Sequence, residues 1–224
     1  MILGNSITQA QTSQQSFRYP LWKKLIDANI AFDYVGSMSK HRGSGNPPQP
    51  DYKGQKFDKD HEGHFAWQAD EIIIGRSTNY GDSGTGNLKA WLKTYDVDIA
   101  LIHLGTNDAF NRQSNGSTAE ELKTIIRTLR ADNAKVAILL AKVIPTSRSP
   151  GDAKAVAALN EYIPKVATEM NTANSPVILV DQFTGFDAST DTYDAVHPNA
   201  MGEEKMAQRW FDGIKSYLET QASK

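Results

Sequence analysis

An α/β fold, with a mostly parallel sheet held between two layers of helices, is what this sequence predicts. Residues 97–104 and 134–143 are nearly continuous apolar runs, the pattern of strands buried on both faces. Around them stand segments whose apolar residues recur at helical spacing, so strand and helix alternate almost throughout. Right-handed crossovers then put helices on both faces of one sheet. Ligands in such folds sit beyond the carboxyl ends of the strands. The 224 residues are expected to form one domain, residues 1–224, long enough to bury a sizeable core.

In chain order, three residues precede Gly4, so the first strand is expected to be short and the chain to be a mature or trimmed form, or a piece of a longer product. Residues 10–15 are polar and read as a loop. A helix follows, with Pro20 in its first turn and Leu21, Trp22, Leu25 and Ile26 on one face. Residues 31–36 read as a strand ending at Gly36. From 37 to 57 no period survives, and Gly43, Gly45, Pro47, Pro48 and Pro50 mark a long irregular excursion, of a length that is functional or disordered in compact domains. Residues 58–73 pass from a charged loop into a helix carrying Ile72 and Ile73.

Residues 79–86 are glycine-rich and loop-like, and 88–94 read as a short helix. The apolar run 97–104 ends at Gly105. Ser117 or Thr118 is expected to cap a helix to about Arg130, with Glu120 and Glu121 where the helix dipole favours them. Pro145 stops the strand 134–143. Asp152 opens a long alanine-rich helix to about Met170, residues 177–180 form a strand ending at Asp181, and 202–218 close the chain as an amphipathic helix.

Composition excludes several classes of function. With 39% hydrophobic residues, 22% charged and a formal net charge of -2, the chain is neither disordered nor fibrous, and no basic excess implies nucleic acid or an anionic membrane as partner. Cysteine is absent, which removes disulfides, thiolate catalysis and Cys-ligated metal. No apolar run reaches spanning length, and no leader is expected ahead of the first motif.

Three short stretches carry the chemistry. Gly4-Asn5-Ser6-Ile7-Thr8 places a serine just past a short strand, where an α/β fold exposes a hydroxyl. Such a hydroxyl needs a base, a carboxylate to orient the base, and donors for the oxyanion. In Asp194-Ala195-Val196-His197-Pro198-Asn199, His197 is the candidate base and Asp194, three residues upstream, can reach back to its Nδ1. In Gly105-Thr106-Asn107-Asp108, Asn107 can project its carboxamide into the same crevice. Each stretch alone has a plainer reading: a turn serine, a loop histidine with an Asx turn, and a helix cap.

Together, in this order, the three stretches resemble sequence blocks of the SGNH hydrolases, also called GDSL esterases, over nearly the whole chain. That resemblance implies a flavodoxin-like three-layer fold. It makes Ser6 the nucleophile, His197 the general base, Asp194 its orienter, and Asn107 and the Ser6 N–H oxyanion donors. A further block is similar to the region Glu62-Gly63-His64-Phe65-Ala66-Trp67 as it occurs in carbohydrate esterase family three, the acetylxylan esterases. There Ala66 stands where the family has a glycine that donates its N–H, and Asn5 stands where it has Asp. If the loop requires positive φ at Ala66, the alanine costs about 1 kcal/mol.

The resemblance implies a serine esterase acting on a small acyl ester or an acetylated polysaccharide such as xylan, with no cofactor and no metal. Polysaccharide as substrate implies an extracellular address. The same chemistry on other short acyl esters or thioesters is an alternative, and a non-catalytic carbohydrate-binding relative is another. Trp67, Tyr80 and Phe110, near the long excursion, are candidates for an aromatic floor under a sugar ring, though Trp67 can equally pack the start of its helix. His61, Glu62, His64, Asp58 and Asp60 can be read as a metal site, but the spacing is not that of a helical zinc motif, and hydrogen bonds holding the loop are the simpler reading.

Overall fold

The computed structural model describes residues 1–43 and 47–222. The part of the excursion at 44–46, Gly45 included, lies outside the described residues. Five parallel strands form one sheet in the order β2-β1-β3-β4-β5. They are β1 (Ile2–Gly4), β2 (Glu62–Gly63), β3 (Ile99–His103), β4 (Ala137–Lys142) and β5 (Val177–Asp181). Helices α1 (Ser6–Gln9) and α2 (Arg18–Asp27) follow β1, and α3 (Ala69–Ile74) and α4 (Leu88–Trp91) follow β2. After β3 come α5 (Thr106–Phe110) and α6 (Asn115–Asp132), after β4 come α7 (Pro150–Asn160) and α8 (Ile163–Met170), and after β5 come α9 (Ala188–Asp191) and α10 (Ala200–Ala222).

Alternation along each strand divides the core between two faces. Leu3, Ile102, Ile138 and Leu140 pack on one side with Trp67, Ile72, Leu122, Ile126 and Val166. Ile2, Leu101, Leu139 and Val180 pack on the other with Leu21, Trp22, Leu25, Met206 and Trp210. The result is the predicted three-layer sandwich. Because β1 lies between β2 and β3, the chain leaves β1 toward one edge and later returns to its other side. That is the topological switch point, and its crevice opens at the carboxyl ends of β1 and β3.

Three predicted elements differ. Residues 31–36 form no strand, because their backbone donors go to side chains instead of to a ladder: Tyr34 N–H to Asp58 Oδ2 at 2.6 Å, and nearby Ser37 N–H to Glu62 Oε1. The second strand is instead Glu62–Gly63, too short to show a period. The single helix expected over 152–170 is broken into α7 and α8, since Pro164 has no N–H to continue the ladder. Finally, α6 begins earlier than expected, with the Ser114 hydroxyl accepting from Ser117 N–H at 3.1 Å.

Candidate active site

The site begins with a glycine that must be one. A Cβ on Gly4 would lie 2.1 Å from Thr8 Oγ1 and 2.9 Å from the His103 carbonyl oxygen. At the end of β2, a Cβ on Gly63 would lie 2.4 Å from the Gln9 nitrogen. Bare glycines let α1 settle directly on the ends of both strands, with Ser6 as its first residue. Asn5 caps α1, its Oδ1 accepting from Ile7 N–H at 3.0 Å, so asparagine supplies this turn with a side-chain acceptor where the family has Asp. The buried Arg18 guanidinium closes the other end, donating to the carbonyls of Thr8 at 3.0 Å and Gln9 at 3.4 Å. Burial lowers its pKa to about 10.

His197 arrives from the far end of the chain. Its loop is tied back on itself by Tyr193 N–H to the His197 carbonyl, and to the residues after β4 by Thr146 Oγ1 and Ser147 N–H, both donating to the Ala195 carbonyl. Asn199 then caps α10 by accepting from Met201 and Gly202 N–H. The imidazole is fixed between two partners. Nε2 lies 2.9 Å from Ser6 Oγ, and Nδ1 lies 2.7 Å from Asp194 Oδ2. Tyr193 stacks on the ring at 5.8 Å between centroids.

Burial disfavours the charge on Asp194, but the His197 N–H, the imidazole and the Val196 N–H outweigh it and hold the carboxyl below its usual range. An ionised carboxylate on Nδ1 directs the Nε2 lone pair toward Ser6, the tautomer a general base requires.

Which groups are free to donate to an oxyanion follows from an inventory of backbone N–H groups. In the stretch 63–69, Gly63 donates to His61 Nδ1, His64 to the Gly4 carbonyl, Phe65 to Gln9 Oε1, Trp67 to the His64 carbonyl, Gln68 to Glu71 Oε2 and Ala69 to Asp108 Oδ1. Among the described residues only Ala66 in that run has no acceptor. The Ser6 N–H has none either. Ala66 has φ +61°, so the strain that its replacement of glycine was expected to bring is present. Asn107 Nδ2 donates to the Trp67 carbonyl at 2.8 Å, which fixes the carboxamide and leaves one hydrogen free. The three donors rise from the ends of β1, β2 and β3, which are neighbours in the sheet.

The candidates for a sugar-binding floor are not brought together. Trp67 is fully buried, packed against His64 at 4.6 Å and Trp91 at 5.8 Å, because it closes the core above β2. Tyr80 is exposed on a separate turn, and Phe110 lies under the Arg148 guanidinium at 3.9 Å. None of the three lines the cavities that hold Ser6 and His197. Phe65, Tyr193 and Arg42 do; Phe65 lies inside the block that resembles family three but had no role assigned to it, and Arg42 and Tyr193 had neither a periodic nor a motif signal in the sequence. The charged cluster is dispersed: Glu62 bonds His64 at 2.7 Å, and Asp58 accepts from Tyr34 and Asp60 N–H. These residues hold the excursion to the sheet.

Residues 2–205 match the GDSL-like Lipase/Acylhydrolase family. The chain belongs to that family. A multidomain esterase from Ruminococcus flavefaciens is 32% identical over 228 residues, 97% of this chain and 28% of that protein, so the chain spans less than a third of its relative. A carbohydrate esterase family 3 structure from Talaromyces cellulolyticus is 30% identical with a TM-score of 0.79, covering 98% of this chain and 97% of the other. An acetyl esterase solved with an acetate ion is 29% identical with the same TM-score and coverage. The GDSL-like lipase/acylhydrolase match takes in both β1 with Ser6 and the loop of His197, the two parts that meet at 2.9 Å.

Proposed function

We propose that this chain is a serine esterase that removes acetyl and other short acyl groups from carbohydrate, acetylated xylan being the reference substrate. One observation carries the reading: Ser6, His197 and Asp194 form a continuous hydrogen-bonded chain. Likeness to family 3 carbohydrate esterases and to an acetyl esterase supports acetyl as the acyl group and sugar as the alcohol.

Ser6 Oγ attacks the acyl carbon while its proton passes to His197 Nε2. The carbonyl oxygen becomes an oxyanion facing the Ser6 and Ala66 N–H groups and Asn107 Nδ2. Collapse breaks the bond to the alcohol oxygen, which takes the proton from Nε2 and leaves. Water, deprotonated by His197, then attacks the acyl-enzyme and releases acetate with Ser6 restored. A polysaccharide substrate places the enzyme outside the cell, and the 1–224 chain acts as a single catalytic domain.

Release of p-nitrophenol from its acetate ester, abolished in Ser6→Ala, tests the chemistry. Acetate release from acetylated xylan, compared with long-chain acyl esters, tests the substrate. Binding of xylan without turnover would leave only the non-catalytic reading.

A further inference from the structure

Arg42 is a cation without an ion-pair partner among the described residues. It is half-buried, its guanidinium lies 3.5 Å from the centroid of the Phe65 ring, and among the described residues no carboxylate pairs with it. Both stacked residues are anchored to the serine helix or the segment just after it. Arg42 N–H donates to the Ala10 carbonyl at 3.0 Å and its carbonyl accepts from Thr12, while Phe65 N–H donates to Gln9 Oε1 at 2.8 Å. A guanidinium stacked on an aromatic face keeps its in-plane N–H groups available, and those are suited to two parallel bonds to a carboxylate.

The position is as informative as the charge. Arg42 and Phe65 border a cavity of about 120 Å³ together with Ser6, Tyr193, Asp194 and His197. Ala66 and Asn107, the oxyanion donors, do not line it. The imidazole returns its proton to the departing oxygen, so space on the imidazole side of Ser6 receives the alcohol, not the acyl group. Asp194 is the carboxylate of that cavity, and its oxygens are already taken by His197 Nδ1 and by the Val196 and His197 N–H groups.

We propose that Arg42 selects esters whose alcohol carries a carboxylate, the chemistry of an acetylated uronic acid or of a sugar decorated with one. The inference rests on the esterase reading and names its alcohol. Oriented by Phe65, the guanidinium takes the carboxylate in bidentate fashion while the acetylated hydroxyl lies at Ser6.

The test compares acetylated glucuronate with its neutral methyl ester, and with an acetylated sugar bearing sulfate in place of the carboxylate. The expected kcat/KM for the acid is about tenfold or more above that for the methyl ester, as suits a charge-assisted pair, and the ratio shrinks as salt is raised. In Arg42→Gln the ratio falls to about one or below, and Arg42→Lys restores it in part, because it keeps the charge without the fork. Taking a ratio within each variant removes any general loss from misfolding. A wild-type ratio of one, a ratio untouched by Arg42→Gln, or an equal gain from sulfate, which would mean selection for charge alone, each overturns the proposal while Ser6-dependent cleavage of p-nitrophenyl acetate leaves the esterase reading standing. Loss of that cleavage in the wild type would overturn both.

Discussion

The Asn107 carboxamide and the Trp67 carbonyl, 40 residues apart in sequence, are joined by a 2.8 Å hydrogen bond that fastens one proposed oxyanion donor to the loop bearing another. Asn107 stands at the start of α5, and Trp67 immediately follows Ala66. Asn107→Ala therefore removes a donor and unties its neighbour. We expect kcat for p-nitrophenyl acetate to fall on the order of 10² to 10³, the usual loss for one oxyanion donor. A fall of less than tenfold would mean that the carboxamide serves the loop alone.

In the proposed mechanism Asp194 acts on Ser6 only through the imidazole. Asp194→Asn keeps a side chain that can cap the loop, but it offers His197 a neutral partner and so releases the tautomer. A loss in kcat on the order of 10³ to 10⁴ is expected, with little change in KM. A comparable rise in KM and an unchanged kcat would assign Asp194 to loop structure.

Ala66 carries its cost openly. With φ at +61° and the side chain exposed, the methyl group gains nothing from packing and sits in the left-handed region that glycine tolerates. Ala66→Gly should raise stability on the order of 0.5 kcal/mol, the relief of strain exceeding the extra freedom of the unfolded chain. For a domain of this size that is roughly 1 to 2 °C in Tm, and kcat should hold or increase, since the N–H is kept. A drop in Tm would show that the surroundings favour alanine at this angle.

How much of this was legible in the sequence depended on where the structural signal resided. The strands β3 and β4 announced themselves because a central parallel strand is apolar on both faces, and Leu101 and Ile102 point to opposite layers yet are both buried, while β5, at the edge, was legible from its short apolar run 177–180. β2 could not, since a two-residue edge strand needs no apolar run, and the buried Glu62 in it is held by His64, Ser37 and the Tyr95 hydroxyl. Ser6, Asn107, Asp194 and His197 were legible as motifs because their chemistry demands particular residue types. Arg42 and Tyr193 were not, because they reach the crevice through the irregular excursion and through loop contacts that only the folded chain brings together, and Phe65 stood in a family-like block with nothing in its residue type to mark it as lining the site.

Asp108 gives the fold a pH dependence of known sign. It is fully buried, accepts from Ala69 N–H at 3.0 Å, and burial pushes its pKa up to about 7. In the unfolded chain the same carboxyl titrates near 4. Between those values the native state holds a proton that the unfolded state has lost, so this group's contribution is full below about pH 4 and is lost as pH rises toward 7, at about 1.4 kcal/mol per unit. Buried His41 and His103, lowered to about 4, act oppositely, since acid protonates them in the unfolded chain first. Comparing Asp108→Asn with the parent cancels their effect. The Tm of the variant minus that of the parent should climb from about pH 4 to about pH 7 and then level off, because asparagine can still accept from Ala69 and has no proton to lose. A difference that stays flat across the range would show that Asp108 is ionised in the folded protein throughout.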